Sequence, residues 1–200
     1  MSDFKSQLSS LLSFCTTDAE GVADAICQNY SDFSLLAQTD RSVLASLCGE
    51  RCADMIRILA SVNSRRITDR FKFGVKHTEQ ELYEFLIGYY FDQPCETVIA
   101  LPLNSRGHIL AVHTLLEGTV NFSEVLPRKL LEVMVKHNST SVIIAHNHPR
   151  GSARASEEDM LTTQKLDFML SAADKRLVCH YIVAHGEVAC VMPLSEKSDK

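Results

Sequence analysis

The sequence predicts a layered α/β domain preceded by a small all-helical unit. Strand and helix patterns alternate from residue 95 onward, whereas residues 1–70 show helical periodicity without a strand pattern. Apolar residues make up 46% of the 200 residues, which is enough for one packed domain and an accessory unit. These observations place a helical unit at 1–70 and the α/β domain at 75–200.

In the helical unit, apolar periodicity and polar breaks predict five short helices. They cover residues 3–14, 18–30, 33–38, 41–47 and 52–60. The segment 63–74 carries charge without clear periodicity, so we predict that it is the break between the two units. A further, aromatic-rich helix is predicted over 79–91.

The α/β region begins with a predicted hairpin. A β-rich run at 97–103, a turn at 104–107 and a returning strand at 108–116 follow one another. Pro127 suits the first residue of a helix that runs to residue 137, because a helix leaves its first N–H groups unbonded. The remaining predicted elements are a short buried strand, a helix and two final strands, at 141–145, 156–173, 177–184 and 188–192.

Charge and hydropathy argue against several classes of protein. The net charge of −5 and the pI near 5.9 provide no global attraction to nucleic-acid phosphates. No run approaches the roughly 20 uninterrupted apolar residues of a membrane span. The N-terminus also lacks the basic and apolar regions of a secretory signal. We therefore expect a cytoplasmic protein without a membrane partner.

The seven cysteines predict reduced, mainly buried thiols. They are scattered, their number is odd, and none forms a C-x-x-C pair. Cys48 and Cys52 lie at i and i+4 and could share a helix face. A metal site on these two thiols would need further ligands nearby, which the sequence does not offer. The interpretation as ordinary buried thiols is favoured.

The segment 141–160, SVIIAHNHPRGSARASEEDM, carries the candidate chemistry. In an extended chain, residues two apart face the same side, so His146 and His148 can direct both imidazoles at one point. Ser156 then opens a helix whose first turn holds Asp159, a candidate third ligand. The Ser156–Asp159 pair also fits a helix cap that needs no metal, so the two interpretations compete.

The combination of residue types favours a catalytic metal. Two histidines, one carboxylate and a water form the open arrangement of catalytic zinc sites, in contrast to the closed arrangement of structural ones. Zinc in such a site lowers the pKa of its water toward ~7 and polarises a carbonyl, so that an amide or isopeptide bond can be attacked at neutral pH. We therefore predict Zn²⁺ as the cofactor, held by His146, His148 and Asp159.

This segment resembles the JAMM signature of JAB/MPN metalloproteases. The shared pattern is His-x-His, then seven residues of which the first is Pro, then Ser, two further residues and Asp. His146-Asn-His148-Pro-x-Gly151 is similar to the bacterial RadC branch. The likeness covers roughly residues 75 to 193, through LNSRGHIL, EGTVN, PRKL, SVIIAHNHP and HYIVAHGE. It implies a cytidine-deaminase-like mixed sheet flanked by helices, and a zinc-dependent hydrolase of peptide, amide or isopeptide bonds with a protein or peptide substrate. It also implies that the Ser156 hydroxyl stabilises the developing oxyanion.

The same resemblance implies a glutamate on an earlier element as general base. Glu96 precedes the first predicted strand and stands 50 residues ahead of His146, where RadC-like sequences carry their glutamate. A base there would take a proton from the zinc-bound water and pass it to the leaving amine. Glu117 and Glu132 are alternatives, of which Glu132 better fits a solvated helix face.

Two positions depart from the RadC-like pattern. Lys129 stands where such sequences usually carry glutamate, and Cys179 precedes His180 where they carry an Asp-His pair. Carboxylates commonly orient ligating histidines, so a missing one predicts metal affinity weaker by ~10-fold or more. His180 and His185 are interpreted as structural or surface residues, with His180 as a candidate neighbour of the site.

Residues 44–53, LASLCGERCA, resemble a degraded form of the helix-hairpin-helix unit that RadC proteins carry. Leu47 occupies the position of the first loop glycine, which disfavours close approach of backbone N–H groups to phosphate. The resemblance to RadC proteins nevertheless implies an alternative function, a DNA repair or recombination accessory. In that function the metal domain is a scaffold and DNA is a partner. A purely structural helical unit is equally compatible with these residues.

Two other enzyme classes have weaker support. His146-Asn-His148 contains the letters of an HNH nuclease, but those nucleases space the three residues apart. Zinc deaminases use His-x-Glu followed by Pro-Cys-x-x-Cys, which this sequence lacks. The sequence indicates neither the natural substrate nor the oligomeric state.

Overall fold

A computed structural model of the chain describes residues 2–31, 33–118 and 122–191. The chain divides into two compact units, Met1–Arg66 and Ile67–Lys200. The larger unit contains a mixed five-stranded sheet with helices on both faces, so the predicted fold class is confirmed. No helix in the described part of the chain is long and apolar enough to cross a membrane.

The smaller unit is helical, as the periodicity predicts. Its helices are α1 (Ser2–Leu12), α2 (Ala19–Cys27), α3 (Phe33–Ala37), α4 (Arg41–Cys48) and the greater part of α5 (Glu50–Arg70). Their apolar sides share one core, in which Leu12, Ile26, Leu44 and Ile56 are fully buried. Burial of these side chains against one another supplies the main stabilisation of such short helices.

The boundary between the two compact units, Arg66/Ile67, lies within the predicted break at 63–74. The first part of that segment is nevertheless helical, because α5 continues to Arg70. The run SVNSRRITDR contains neither glycine nor proline, so nothing within it ends the helix. The charged residues of this run lie largely on the exposed side of the helix. Charge with little apolar periodicity is what a solvent-facing stretch of helix shows, and it does not by itself indicate a loop.

The larger unit has the connectivity of a mixed α/β sheet. Its elements are α6 (Glu79–Tyr90), β1 (Thr97–Leu103), β2 (His113–Glu117), α7 (Phe122–Lys136), β3 (Ser141–Asn147), α8 (Glu157–Ala172), β4 (Arg176–Ala184) and β5 (Glu187–Cys190). The strand order is β2-β1-β3-β4-β5, in which β3 and β4 run parallel and the other neighbours antiparallel. The β3-α8-β4 crossover places the N-terminus of α8 after the carboxyl end of β3.

Helices cover both faces of the sheet. On one face, the α6 side, Leu86 packs in a core with Ala145 of β3. On the other face, the α7/α8 side, Leu130 and Leu166 pack in a core with Ile144 of β3. Strand alternation therefore sorts successive residues of β3 onto two different cores.

The returning strand predicted at 108–116 is wrong in its first half, because β2 begins only at His113. Ile109 instead forms isolated bridges with Val75 and Leu103. The carbonyl of Ile109 also accepts a hydrogen bond from Gly74 N at 2.7 Å. This part of the chain thus pairs with residues that precede α6, a long-range contact that the local pattern does not contain.

The predicted helix start at Pro127 is also wrong, because α7 begins at Phe122 and holds Pro127 in its interior. An interior proline removes one backbone hydrogen bond. Leu126 and Leu130, on either side of it, are buried in the core of the α7/α8 side and hold the helix against the sheet. Met192, the predicted end of the last strand, lies outside the described residues.

The prediction of reduced cysteines is wrong for Cys179 and Cys190, which are paired as a disulfide. They lie on the neighbouring strands β4 and β5 with their Cα atoms 6.5 Å apart, a pairing that spacing along the chain does not reveal. Cys48 and Cys52 are buried free thiols on α4 and α5, so they do not share one helix. Burial raises the pKa of the Cys48 thiol to about 11.

Candidate metal centre

The candidate centre lies at the carboxyl end of β3. His146 is in the strand and His148 follows it, and their Nε2 atoms are 2.9 Å apart. His146 is on the α7/α8 side, opposite Val98 of β1. The backbone N–H of His148 donates to the carbonyl of Val183 at 2.9 Å, which extends the pairing with β4 beyond the end of β3. The chain is therefore extended at this point and brings both imidazoles together, as the two-residue spacing predicts.

Asp159 reaches the same point from the first turn of α8. Its Oδ1 lies 3.1 Å from His146 Nε2 and its Oδ2 lies 3.6 Å from His148 Nε2. Oδ2 also accepts hydrogen bonds from N and Oγ of Ser156, at 2.8 and 2.6 Å. The two interpretations of this aspartate are thus compatible, since one carboxylate oxygen completes the helix cap while the other faces His146.

The electrostatics of the centre favour an ionised Asp159. Burial of its carboxyl would raise the pKa, but the contact with His146 and the hydrogen bonds from Ser156 outweigh burial, and the pKa is lowered. His180, beside His146, is 3% exposed, and burial followed by the proximity of His146 lowers its pKa to about 3. At neutral pH the centre therefore offers a negative carboxylate beside an uncharged third imidazole.

Glu96 is the fourth group at this point. One carboxylate oxygen of Glu96 and one ring nitrogen each of His146 and His148 lie within 4.8 Å of one another. These three residues and Asp159 line one cavity of about 170 Å³. The structure thus brings the predicted base to the predicted ligands, although the two elements that carry them are far apart in sequence.

The alternative bases lie elsewhere. Glu132 is exposed and pairs with Arg128 one turn earlier at 3.0 Å, as expected of a solvated helix face. Glu117 is exposed at the end of β2, where it pairs in register with Thr97, and it does not line the cavity. Of these three glutamates, Glu96 is the one that faces the histidines.

Asn147, between the two histidines, holds the Glu96 segment in place. Its Oδ1 accepts a hydrogen bond from Thr97 N at 2.8 Å, and its Nδ2 donates to the carbonyl of Cys95 at 3.2 Å. Gly118 N donates to the carbonyl of Glu96 from the β2 side at 2.8 Å. Sequence motifs assign Asn147 no such role, although a polar residue in a buried strand is itself a signal because it must find partners.

His180 is buried and contacts the His146 ring on the side away from Asp159. Its Nε2 is 2.8 Å from His146 Nδ1, and its Nδ1 is 2.7 Å from Thr163 Oγ1. Thr163 belongs to α8 and is 2% exposed. His180 is therefore in direct contact with a predicted ligand, as its interpretation as a neighbour of the site anticipates, whereas Thr163 has no sequence signal of its own.

The two departures from the RadC-like pattern do not touch His146. Cys179 packs on the α6 side of the sheet, so a side chain at this position faces away from the histidines. Lys129 Nζ donates to the carbonyl of Leu115 at 2.8 Å and so joins α7 to β2. The expected loss of an orienting carboxylate at position 179 is therefore not supported, since the β4 side chain that contacts the His146 ring is that of His180.

The donor set fits a zinc ion. Imidazole nitrogens and carboxylate oxygens are the ligands that zinc takes in catalytic sites. Acceptor atoms of His146, His148 and Asp159 converge within 3.6 Å of one another. A shared cation stabilises such a convergence of buried acceptors and negative charge.

The fold and the centre together define an α/β domain of the JAB type with a candidate metal site. The sequence profile of the RadC-like JAB domain family matches residues 76–197. A UPF0758 protein of Nitrosococcus oceani is 30% identical over 172 residues, which cover 84% of this chain and 77% of that protein. A UPF0758 protein of Legionella pneumophila is 37% identical over 109 residues, or 54% of this chain and 48% of that protein. The chain therefore belongs to the RadC-like JAB domain family, and the predicted resemblance is confirmed.

Proposed function

We propose that this protein is a zinc-dependent hydrolase of the JAMM type, which cleaves a peptide, amide or isopeptide bond. The observation that carries the proposal is the convergence of His146, His148, Asp159 and Glu96 on one cavity. Membership in the RadC-like JAB domain family supports the same class of enzyme.

His146, His148 and Asp159 would hold the metal, which leaves one position for water. Zinc in this position would lower the pKa of its water toward ~7 and polarise the carbonyl of the bond to be cut. Asp159 supplies the negative charge, and its hydrogen bonds from Ser156 keep the carboxylate ionised and oriented. The nearly complete burial of His146 excludes bulk water from that side of the centre.

Glu96 is assigned the proton transfer. Its carboxylate oxygen accepts a proton from the attacking water and returns it to the leaving amine. The backbone on both sides of Glu96 is held by Asn147, and its own carbonyl by Gly118. The position of the base therefore follows from strand pairing, which keeps it close to the two histidines.

Ser156 has a more restricted role than the family resemblance implies. Its single hydroxyl proton is donated to Asp159 Oδ2 at 2.6 Å. In this arrangement the hydroxyl orients the carboxylate that faces His146. To stabilise an oxyanion, it would have to turn from Asp159 toward the substrate.

The size of the cavity favours a protein or peptide substrate. A volume of about 170 Å³ holds only a few water-sized groups. Sites for complete small molecules are usually larger, about 300 to 1,000 Å³. A substrate would therefore place the scissile bond in the cavity while the rest of its chain lies outside.

Zinc content and peptide hydrolysis by the full-length protein test the proposal. We expect about one zinc per chain by elemental analysis, and cleavage of peptide and isopeptide substrates that the double variant His146→Ala, His148→Ala abolishes. His185→Asn is the matched control, because His185 is exposed in the β4–β5 turn at a φ of 46°, which asparagine tolerates. Wild-type protein without near-stoichiometric zinc, or a double variant that retains it, contradicts the proposal.

A DNA-associated role for the smaller unit stays a prediction. α4 and α5 flank Gly49, which has a φ of 78°. The Arg41 guanidinium is paired with Glu50 and Asp54 at 2.7 and 2.6 Å, so this cation is engaged within the unit. A titration with duplex DNA at several salt concentrations checks the role, and absence of binding at low salt would remove it.

A further inference from the structure

A line of buried polar groups runs from His146 into α8. His146 Nδ1 lies 2.8 Å from His180 Nε2, and His180 Nδ1 lies 2.7 Å from Thr163 Oγ1. Thr163 Oγ1 lies in turn 2.6 Å from the carbonyl oxygen of Asp159. The three side chains are each at most 3% exposed, so they satisfy one another rather than being solvated.

The direction of these hydrogen bonds follows from Thr163. Its hydroxyl has one proton and a backbone carbonyl can only accept, so that proton belongs to the bond with Asp159. Thr163 Oγ1 then accepts from His180 Nδ1–H. His180 is 3% exposed, and its ring nitrogens contact a hydroxyl oxygen and an imidazole nitrogen rather than a carboxylate. Burial without a counter-charge disfavours a second ring proton, so Nε2 accepts from His146 Nδ1–H.

We propose that Thr163 and His180 are positioning residues that hold a proton on Nδ1 of His146 and thereby keep its Nε2 for the metal. This inference rests on the proposed metal-binding function. Nε2 is the atom that faces His148 and Asp159, at 2.9 and 3.1 Å. The opposite tautomer would place the only ring proton of His146 on that atom and block one ligand position.

Helix α8 carries both the predicted ligand Asp159 and Thr163, the last side chain in the line of hydrogen bonds that begins at His146. Asp159 and Thr163 lie one turn apart on α8, so the docking of one helix sets the carboxylate and the His146 ring together. A ligating histidine often donates its second N–H to a carboxylate. Here an uncharged imidazole and a hydroxyl take that place, so the negative charge of the centre stays with the groups that face the cavity, Asp159 and Glu96.

Thr163→Val tests the inference in the full chain, with Thr163→Ser as its matched control. Valine keeps the shape of threonine but removes the acceptor of His180 Nδ1–H, whereas serine retains it. In the valine variant, His180 can move its proton to Nε2, which makes His146 accept at Nδ1 and carry its proton on Nε2. We expect the zinc affinity, measured by competition with a chelator, to fall about 10-fold or more in the valine variant. The serine variant should stay close to wild type.

Nitrogen-15 NMR of the imidazoles supplies a readout that a purely structural role would not change. In the wild-type protein, metal-free and zinc-loaded, we expect His146 to carry a proton on Nδ1, and we expect Thr163→Val to lose it. A wild-type His146 without that proton overturns the inference, and so does a folded valine variant with wild-type spectra and zinc affinity. Circular dichroism checks folding, and if the valine variant does not fold, the wild-type spectra decide alone. Wild-type protein that binds no zinc refutes the proposed function, whereas the metal-free spectra still test the inference.

Discussion

The two sides of the sheet in the larger unit share the same strands but bury different chemistry. On the α6 side, Ala145 of β3 is fully buried in a core with Leu86 and Ile99. On the α7/α8 side, the next residue, His146, is 2% exposed and contacts the His180 ring. One position along β3 therefore separates an apolar core from a polar centre.

This difference shows how the fold separates stability from chemistry. On the α6 side, the buried Tyr90 hydroxyl donates to the carbonyl of Ala145 at 2.7 Å and so joins α6 to the sheet. On the α7/α8 side, His146, His180 and Thr163 form hydrogen bonds to one another. A buried polar group without a partner costs about 1–3 kcal/mol, so this line is stable only when it is complete.

The largest effect on stability is expected on the α6 side. Ile99 is fully buried in β1, and Ile99→Ala should lower the free energy of unfolding by about 2–5 kcal/mol because it leaves a cavity. Denaturant titration of the metal-free protein measures this loss. The folded variant should bind as much zinc as wild type, and a reduced stoichiometry would contradict the separation between the two sides.

The largest effect on zinc binding is expected on the α7/α8 side. Asp159→Asn keeps an oxygen that can cap α8 but removes the negative charge that faces His146. We expect the zinc affinity to fall about 100-fold or more. Loss of a hydrogen-bond partner outside the ligand set lowers metal affinity by about 10- to 100-fold, and loss of a ligand charge should cost at least the upper value. Chelator competition measures it. An unchanged affinity would leave Asp159 with its capping role alone.

A smaller and more selective effect is expected at Asn147, which faces away from the histidines and holds the Glu96 segment. Asn147→Ala leaves Thr97 N without its partner, so the free energy of unfolding should fall by about 1–3 kcal/mol. Because this change displaces the base and not the ligands, peptide hydrolysis should fall more than zinc affinity. Equal losses of both would show that Asn147 supports β3 in general.

The smallest effect is expected at Gly151, which packs against His148. A Cβ added there would lie 3.3 Å from His148 Cβ, so the histidine would have to shift by a few tenths of an ångström. Gly151→Ala should lower stability by about 1 kcal/mol and reduce zinc affinity only a few-fold. Ser152→Ala is the control, because the carbonyl of Ser152, which lies 2.9 Å from His148 Nδ1, is retained. A variant with full zinc affinity would show that the His148 ring tolerates the shift.

Much of the fold is predictable from local patterns. β1, β3 and α8 lie within two residues of their predicted bounds, because their apolar runs and the Ser156 cap are contained in the elements themselves. The start of β2 is different, since Ile109 pairs with Val75 from before α6. The continuation of α5 was equally hidden, because a charged helix surface and a loop have similar compositions.

The candidate site follows the same division. His146, His148 and Asp159 belong to one segment, so their spacing is visible in the sequence. The contacts that support the site join residues that are distant along the chain: Thr163 and His180 are 17 residues apart, and Thr97 and Asn147 are 50 apart. Hydrogen bonds between such residues form only when strands and helices are assembled, so local patterns do not contain them.

The sequence by itself determines the alternation of helices and strands and the candidate ligands, since these depend on neighbours along the chain. The tertiary structure alone decides that Glu96 rather than Glu117 faces the histidines. It also decides that His180 faces His146 while Cys179 faces the α6 side, through a shift in the β3–β4 register. The physical reason is strand pairing, in which a shift of one residue moves a side chain to the opposite side of the sheet.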